Sequence, residues 1–266
     1  RSTPKPSSAA SDVYKRQLNP WMTFDLWLEL KFMSKPTISK KILLWYDNNK
    51  RILPWRKNTS KEQKLYFTLV SEFMLQQTQV STVIPYFKRF VQKIPNFKKL
   101  SKANDQTLMK LWEGLGYYSR ARNLKKSAIM INGKFGGILP SNFEDLKSLP
   151  GIGDYTSTAI MAIAFNQKFI PLDGNVERIL KRVLYLRSDK DISKENMQIS
   201  KKFFGLSERA SDYAQAIMEL GALVCRPTSP LCDKCPIRIN CISYKRKDFS
   251  LIKKTKKIRS NILRQI

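Results

Sequence analysis

Apolar residues recur at helical spacing along almost the whole chain between Ser39 and the first cysteine, Cys225. No sustained alternation of apolar and polar residues, bounded by turn signals, interrupts this pattern, and a half-buried strand requires such alternation. The sequence therefore predicts a nearly all-α protein. At 266 residues and 42% hydrophobic content, the chain is long enough for one large or two medium domains with a real core.

The two ends of the chain do not share this pattern. Residues 1–32 open with a Ser-, Pro- and Ala-rich stretch, and we expect them to be disordered or a non-native leader before Met33. The following "LNPWMTFDLWLELKF" is interrupted by charges and lacks the apolar region of a secretory signal. A cytoplasmic, reducing compartment is therefore expected, in which structural disulfides are rare. Residues 245–266 are basic, with little to bury, and are typical of a linker or tail.

The charge balance is strongly positive. Lys and Arg total 49 against 21 Asp and Glu, a formal net charge of +28, which favours a polyanionic partner, with nucleic acid as the leading candidate. Compositional bias towards Lys explains part of this excess. An anionic membrane surface is the weaker alternative, since no segment approaches the roughly 18 apolar residues of a spanning helix. The absence of His excludes His-based catalysis, so proton transfer must use carboxylates, Tyr or Lys.

The stretch "SNFEDLKSLPGIGDYTSTAIMAIAF" predicts a helix, a tight hairpin and a second helix. Ser141 and Glu144 are predicted to form a capping box for the first helix, and Asp154 to cap the second. Glycines in a turn that opens a helix expose N–H groups able to hold a phosphate oxygen, although a plain helix-turn-helix corner is an equal alternative. The candidate DNA-backbone contacts are Gly151, Gly153 and Thr156.

All four cysteines lie within 17 residues, with the spacing C-x6-C-x2-C-x5-C. They are Cys225, Cys232, Cys235 and Cys241. This spacing predicts one metal site. Zinc ribbons usually pair two C-x2-C knuckles across a longer gap, and only one such knuckle is present here, so an iron–sulfur cluster competes with zinc. Spacing alone leaves the choice open.

Together with the cysteine loop, "LPGIGDYTSTAI" and "LDGNVERIL" resemble the helix-hairpin-helix DNA glycosylases of the endonuclease III superfamily. The stretches "ILPWRK", "SEFMLQQTQVSTVIPYFKRF" and "WEGLGYYSRARNL" closely resemble the MutY-type adenine glycosylases, and the match covers roughly residues 38 to 245. This resemblance implies removal of adenine mispaired with 8-oxoguanine or guanine, and a [4Fe–4S] cluster on the four cysteines. It also implies a monomer that acts on double-stranded DNA, in a bacterium at the nucleoid.

The resemblance further implies a two-lobed fold with the site in the cleft between the lobes. Residues 57–168 would form a six-helix barrel that contains the hairpin. Residues 33–56 and 169–244 would form the lobe that carries the cluster.

By resemblance, Glu72 is the general acid that protonates the flipped adenine, and Asp173 stabilises the sugar cation or forms a transient adduct. Asn175 supports Asp173. Tyr155 occupies the position at which bifunctional relatives carry the attacking Lys, which implies a monofunctional enzyme. The alternative from the residues alone is that Glu72 pairs with a buried Arg and Asp173 only caps a helix.

Two further groups of residues are assigned by resemblance. The adenine pocket would draw on Arg51, Trp55, Arg56 and Glu219. The intercalating and orphan-base residues would be Gln76, Gln77 and Tyr117. For Trp55 and Tyr117, core packing is the alternative prediction.

The sequence departs from the family in two places. An acid, Asp154, stands in the hairpin, where the family often has a basic residue. MutY proteins usually continue into a MutT-like domain, whereas this sequence stops at Ile266, which leaves the preference for 8-oxoguanine over guanine open. The rival functions are a glycosylase for mismatched thymine or oxidised pyrimidines, and a DNA-binding module without catalytic activity.

Overall fold

The computed structural model describes residues 35–57, 59–186 and 202–250, with side chains from Ile38 onward. The predicted leader at 1–32 and most of the predicted basic tail lie outside the described residues. The helices with described bounds are α1 Lys35–Asn49, α2 Lys61–Leu75, α3 Val80–Lys93, α4 Phe97–Ser101, α5 Asp105–Trp112, α6 Ser119–Lys134, α7 Phe143–Ser148, α8 Asp154–Ile163, α9 Gly174–Leu184, α10 Ala210–Leu223 and α11 Ile242–Arg246. No strand occurs in these ranges, and the all-α prediction is confirmed.

The buried apolar side chains form two clusters. The first extends from Leu65 to Met161 and is built by helices α2 to α8, around large rings such as Trp112 and Phe73. The second combines α1, which comes early in the chain, with α9, α10 and the cysteine loop. Helix α10 packs against α1 and α9 of the second cluster and also against α8 of the first. It therefore brings its residues to the junction of the two clusters, although the lobe boundaries given above stay a prediction.

The hairpin between α7 and α8 is present, and its first glycine is required by close packing. Gly151 has φ +82°, and a Cβ there would lie 2.9 Å from both a ring carbon of Phe73 and Cβ of Asn123. The Ser127 hydroxyl donates to the Pro150 carbonyl at 2.9 Å. A larger residue would therefore separate the hairpin from α2 and α6.

The predicted caps of α7 and α8 are wrong. Asn142, not Ser141, is the N-cap of α7, and its Oδ1 accepts from the Asp145 amide at 2.9 Å, because Asn caps as well as Ser and lies one residue closer to the helix. Gly153 precedes α8 without a side-chain cap, and Asp154 is the first helical residue. The Asp154 carboxylate pairs instead with Lys147 Nζ at 2.7 Å, a tertiary contact.

None of the described helices combines the length and the apolar character that a membrane crossing requires.

Candidate active site

A pocket of about 490 Å³ opens where the two clusters meet. It gathers predicted site residues from five separate stretches of the sequence. Those that line it are Arg51, Trp55, Arg56, Glu72, Tyr155, Asp173, Asn175 and Glu219. The pocket therefore contains every predicted catalytic residue and the whole predicted adenine pocket.

Glu72 lies in the last turn of α2 and is only 6% exposed. The residues that follow it, Phe73 and Met74, belong to the first core cluster. Burial raises the pKa of Glu72 to about 7, the negative charge of Asp173 adds to the rise, and the Tyr155 hydrogen bond and the Arg56 charge oppose it. A carboxyl with this pKa holds its proton near neutral pH and is able to donate it to a bound group.

Asp173 is the N-cap of α9. Its Oδ1 accepts from the backbone amides of Asn175 at 2.9 Å and Val176 at 2.7 Å, and its Oδ2 accepts from Asn175 Nδ2 at 2.9 Å. Burial raises the pKa of Asp173, while these donors and Arg178 lower it. The alternative that Asp173 only caps a helix is thus correct about the cap, but the same carboxylate also lines the pocket. Its donors favour the charged form, beside a protonated Glu72.

Tyr155 lies in the first turn of α8, and its hydroxyl is a hydrogen-bond partner of the Glu72 carboxyl. Burial, the charges of Glu72 and Asp173, and this hydrogen bond all raise the pKa of Tyr155 well above its usual range. The residue is therefore a neutral phenol beside the Glu72 carboxyl. Its side chain carries no amine that could attack the sugar.

Glu219 is 1% exposed, and two arginines satisfy both of its oxygens. Oε1 accepts from Arg51 through the backbone N at 2.9 Å and Nε at 2.6 Å, and Oε2 accepts from Arg56 Nη1 at 2.6 Å. The Arg56 guanidinium also lies over the Tyr46 ring, 5.7 Å from its centroid. A buried carboxylate with two charged donors forms a rigid, directional wall.

Trp55 has a mixed position. It lines the pocket, and its ring also contacts Phe87 edge-on with centroids 5.3 Å apart, at the border of the first core cluster. The core-packing alternative is therefore partly correct for Trp55.

Gln76, Gln77 and Tyr117 do not line the pocket but lie on turns that follow helices. Gln77 and Tyr117 have left-handed backbones with φ of 54° and 48°. Tyr117 is 64% exposed, so the core-packing alternative is wrong for this residue. Gln76 Nε2 donates to the Gly151 carbonyl over 3.4 Å, which connects its turn to the hairpin.

The structure places the three predicted DNA-backbone contacts differently. Gly151 and Gly153 are exposed in the hairpin, whereas the Thr156 side chain is only 4% exposed and is not presented on the surface. The amides in the first turn of α8 are the groups that would bind an anion there, because the first N–H groups of a helix lack intrahelical partners.

Sequence reasoning missed Arg178, which connects the pocket to the cysteine loop. Its Nη2 donates to Asn175 Oδ1 at 2.6 Å and to the Gly221 carbonyl at 2.8 Å, and its Nε donates to the Cys225 carbonyl at 2.8 Å. The spacing of three residues between Asn175 and Arg178 on one helix was a usable signal. The contact to Cys225, 47 residues away, was not visible in the sequence.

The four cysteines line one small cavity of about 30 Å³, together with Arg182 and Phe249. Burial raises the pKa of Cys235 to about 12 and that of Cys241 to about 11, and the neighbouring thiols add to both rises. Arg182 Nη1 lies 3.4 Å from Cys225 Sγ. Four soft sulfur donors around one cavity fit a thiophilic metal group. Within the described ranges, no three potential ligands converge on the position of a single ion.

Residues 70–204 match the family described as "HhH-GPD superfamily base excision DNA repair protein". The chain belongs to this superfamily. Among superfamily proteins with curated names, the "Adenine DNA glycosylase" of Rattus norvegicus is 43% identical over 218 residues, which are 78% of this chain and 42% of the relative. That of Buchnera aphidicola subsp. Schizaphis graminum is 39% identical over 226 residues, 83% of this chain and 64% of the relative. The chain thus spans less than two thirds of these relatives.

Solved structures of the superfamily have the same fold. A thermostable thymine-DNA glycosylase aligns with a TM-score of 0.70 and 25% identity over 80% of this chain and 97% of that one. A non-covalent endonuclease III–DNA complex aligns with a TM-score of 0.64 and 21% identity, over 81% of this chain and 99% of that one. The helix-hairpin-helix fold class expected from the sequence is confirmed.

Proposed function

We propose that this chain is an adenine DNA glycosylase that removes adenine paired with 8-oxoguanine or guanine by hydrolysing its bond to the sugar, without lyase activity. The observation that carries the proposal is the pair of carboxylates, Glu72 and Asp173, in one pocket with different environments. Relatives at 43% and 39% identity that bear the name adenine DNA glycosylase support the choice of base.

Glu72 is the general acid. Adenine is a poor leaving group when neutral, and protonation of its ring weakens the bond to the sugar. A carboxyl with a pKa of about 7, oriented by the Tyr155 hydroxyl, has a proton to give at neutral pH. After the transfer, Glu72 is ionised inside the pocket until a proton returns.

Asp173 acts on the sugar. As adenine leaves, positive charge develops on C1′ and the ring oxygen, and a fixed carboxylate stabilises it, as in glycoside hydrolysis. Asn175 and the N-terminus of α9 hold that carboxylate in place. Water adds to C1′, and its displaced proton returns to a carboxylate of the pocket.

Tyr155 accounts for the absence of lyase chemistry in this proposal. A Schiff base on the sugar requires an amine, and a phenol cannot form one. The expected product is therefore an intact abasic strand.

The Glu219 network forms the adenine-binding wall. Glu219 binds Nε of Arg51 and Nη1 of Arg56 and so fixes both guanidinium groups. The N–H donors that do not bind Glu219 would then contact the ring acceptors of a purine. Trp55 provides an apolar surface beside them.

The partner is double-stranded DNA, which in the cell places the protein at the nucleoid in the cytoplasm. The hairpin amides would contact a phosphate of the backbone, and a net charge of +28 would strengthen binding to any sequence. Adenine inside a duplex cannot reach Glu72, so it must be flipped into the pocket. The space that the flipped adenine leaves is filled, and the orphan base is held, by Gln76, Gln77 and Tyr117.

The cysteine cavity is assigned to a [4Fe–4S] cluster. Cys225, Cys232, Cys235 and Cys241 would hold the cluster through their thiolates, and the single C-x2-C knuckle favours it over a zinc ribbon. The cluster, when bound, would cross-link the loop from Cys225 to Cys241. Arg182 and Arg178 attach that loop to α9.

The test is single-turnover excision on three labelled duplexes. They carry adenine opposite 8-oxoguanine, adenine opposite guanine, and an oxidised thymine opposite adenine, each treated with and without alkali. Strand breaks at adenine that need alkali are expected. Alkali-independent breaks at the oxidised thymine would instead favour a glycosylase for oxidised pyrimidines that also cleaves the strand. No cleavage by folded, iron-loaded protein would favour a binding module.

A further inference from the structure

Arg120 is a buried cation that has no counterion among the described residues. It lies in the first turn of α6 and is 6% exposed. In the part of the chain that the structure describes, its acceptors are carbonyls and one hydroxyl, and no carboxylate pairs with it. Burying a charge in this way is unfavourable unless hydrogen bonds compensate for it, and burial indeed lowers the pKa of Arg120.

The two terminal nitrogens of Arg120 bind two different segments. Nη1 lies near the chain that leaves α2, with contacts to Phe73 O at 3.2 Å, Met74 O at 2.8 Å, Gln76 O at 2.6 Å and Thr78 Oγ1 at 3.1 Å. Nη2 lies near the chain that leaves α5, with contacts to Leu115 O at 3.1 Å and Gly116 O at 3.0 Å. We name these segments the Gln77 turn (residues 76–79) and the Tyr117 turn (residues 113–118).

Each turn presents one non-glycine residue in a left-handed conformation, Gln77 in the first and Tyr117 in the second. Such backbones persist only where the surrounding structure fixes them. The Arg120 guanidinium carbon also lies 5.6 Å from the ring centroids of Tyr117 and Trp112, and Trp112 Nε1 donates to Gly116 O at 3.2 Å. One planar group therefore fixes the backbone of both turns and the Tyr117 ring.

We propose that Arg120 is a positioning residue that sets the spacing between the Gln77 turn and the Tyr117 turn, so that Gln77 and Tyr117 enter a DNA duplex as one unit. This inference rests on the proposed function, because entry into the duplex belongs to base flipping. The planar fork of Arg is required. The single ammonium of Lys keeps the charge but cannot place two nitrogens on two turns.

The first test compares Arg120→Lys with Arg122→Lys, an exposed arginine on the same helix. Both variants preserve net charge. On adenine opposite 8-oxoguanine, Arg120→Lys should slow single-turnover excision at least about tenfold, and Arg122→Lys should not. On adenine opposite an abasic site, where there is no orphan base to separate, the loss for Arg120→Lys should fall below about threefold. Equal loss on both substrates would indicate a general structural role and overturn the inference.

The second test does not depend on turnover. Binding to the 8-oxoguanine duplex is measured by fluorescence anisotropy for Gln77→Gly, Tyr117→Gly and the double variant, since glycine keeps a left-handed backbone accessible. In the parent, the fold-loss of binding affinity in the double variant should differ from the product of the two single-variant fold-losses by at least about threefold. In the Arg120→Lys background the losses should simply multiply. Coupling that survives there contradicts the proposal.

These outcomes separate the inference from the proposed function. A parent chain that binds the duplex but releases no adenine refutes the proposed glycosylase function. The binding measurements on the Gln77 and Tyr117 variants still test Arg120. Should Arg120→Lys lose its helical circular dichroism, Thr78→Val replaces it, because this variant removes one acceptor of Nη1 and keeps Arg120. The coupling should then weaken, and coupling equal to that of the parent would overturn the inference.

Discussion

Asn175 donates its side-chain amide to Oδ2 of Asp173 over 2.9 Å, and thereby connects the pocket carboxylate to the cysteine loop. The other end of the Asn175 side chain accepts from Arg178, which also holds the Cys225 carbonyl. Any change that moves Asn175 should therefore alter chemistry at Asp173.

Glu72→Gln tests the general acid. Glutamine fills the same space but has no proton to transfer, so excision should fall by at least about a hundredfold while duplex binding changes little. Single-turnover excision and gel-shift binding measure the two effects. The exposed Glu144→Gln serves as the control and should retain both. Parallel loss of excision and binding in Glu72→Gln would instead indicate a structural role.

The raised pKa of Glu72 predicts how stability depends on pH. Below its ordinary value of 4.5 the group is protonated in both the folded and the unfolded state. As pH rises, the unfolded chain loses this proton first, so folding becomes less favourable until about pH 7. Glu72→Gln removes this penalty and should stabilise the protein by up to about 3 kcal/mol at pH 8 and little at pH 4.5. Urea unfolding at the two pH values measures the difference, and equal effects would contradict the buried carboxyl.

The same pKa predicts the pH dependence of excision. The acid form of Glu72 is needed, so the single-turnover rate should decrease as pH rises through about 7. Binding of the duplex should be measured at each pH as the control. A rate that is flat from pH 6 to pH 8.5 would be evidence against Glu72 as the proton donor.

Gly221→Ala tests the support of Asp173. A Cβ on Gly221 would lie 2.6 Å from Cβ of Asn175, so α10 or Asn175 must shift. We expect excision to slow by about tenfold or more. Gly133→Ala is the matched control, since its Cβ meets nothing within 4 Å, and it should leave excision intact and slightly stabilise α6. Similar rates for both variants would exclude tight coupling between Asn175 and catalysis.

Tyr155→Lys tests the assignment of this position. It places an amine beside Asp173, and incubation with substrate DNA and borohydride should give a covalent protein–DNA adduct. The parent chain should give none. Tyr118→Lys, on the exposed end before α6, controls for reaction of any added amine. A folded Tyr155→Lys variant that is never trapped would count against the placement of Tyr155 at the sugar.

Much of the fold and the site was predictable from the sequence because it depends on local patterns. Helical spacing gave the all-α class, and the short stretches around Glu72, Asp173 and Tyr155 identified side chains that the fold brings into one pocket. The caps of α7 and α8 were predicted wrongly by one residue. Neighbouring Ser, Asn, Gly and Asp compete for such positions with small differences in free energy.

The remaining contacts depend on tertiary packing. Arg120 and Arg178 lie in basic helices in which the sequence contains many similar side chains, and their roles come from hydrogen-bond acceptors 42 to 47 residues away. Thr156 illustrates the reverse case. It lies in the expected motif, but the fold turns its side chain into the interior.

The most direct test of the central claim is analysis of both products by mass spectrometry after a single turnover on a duplex with adenine opposite 8-oxoguanine. We predict free adenine and an intact strand with one abasic site. Unchanged DNA, or a strand cleaved without alkali, would contradict a monofunctional adenine glycosylase that uses Glu72 and Asp173.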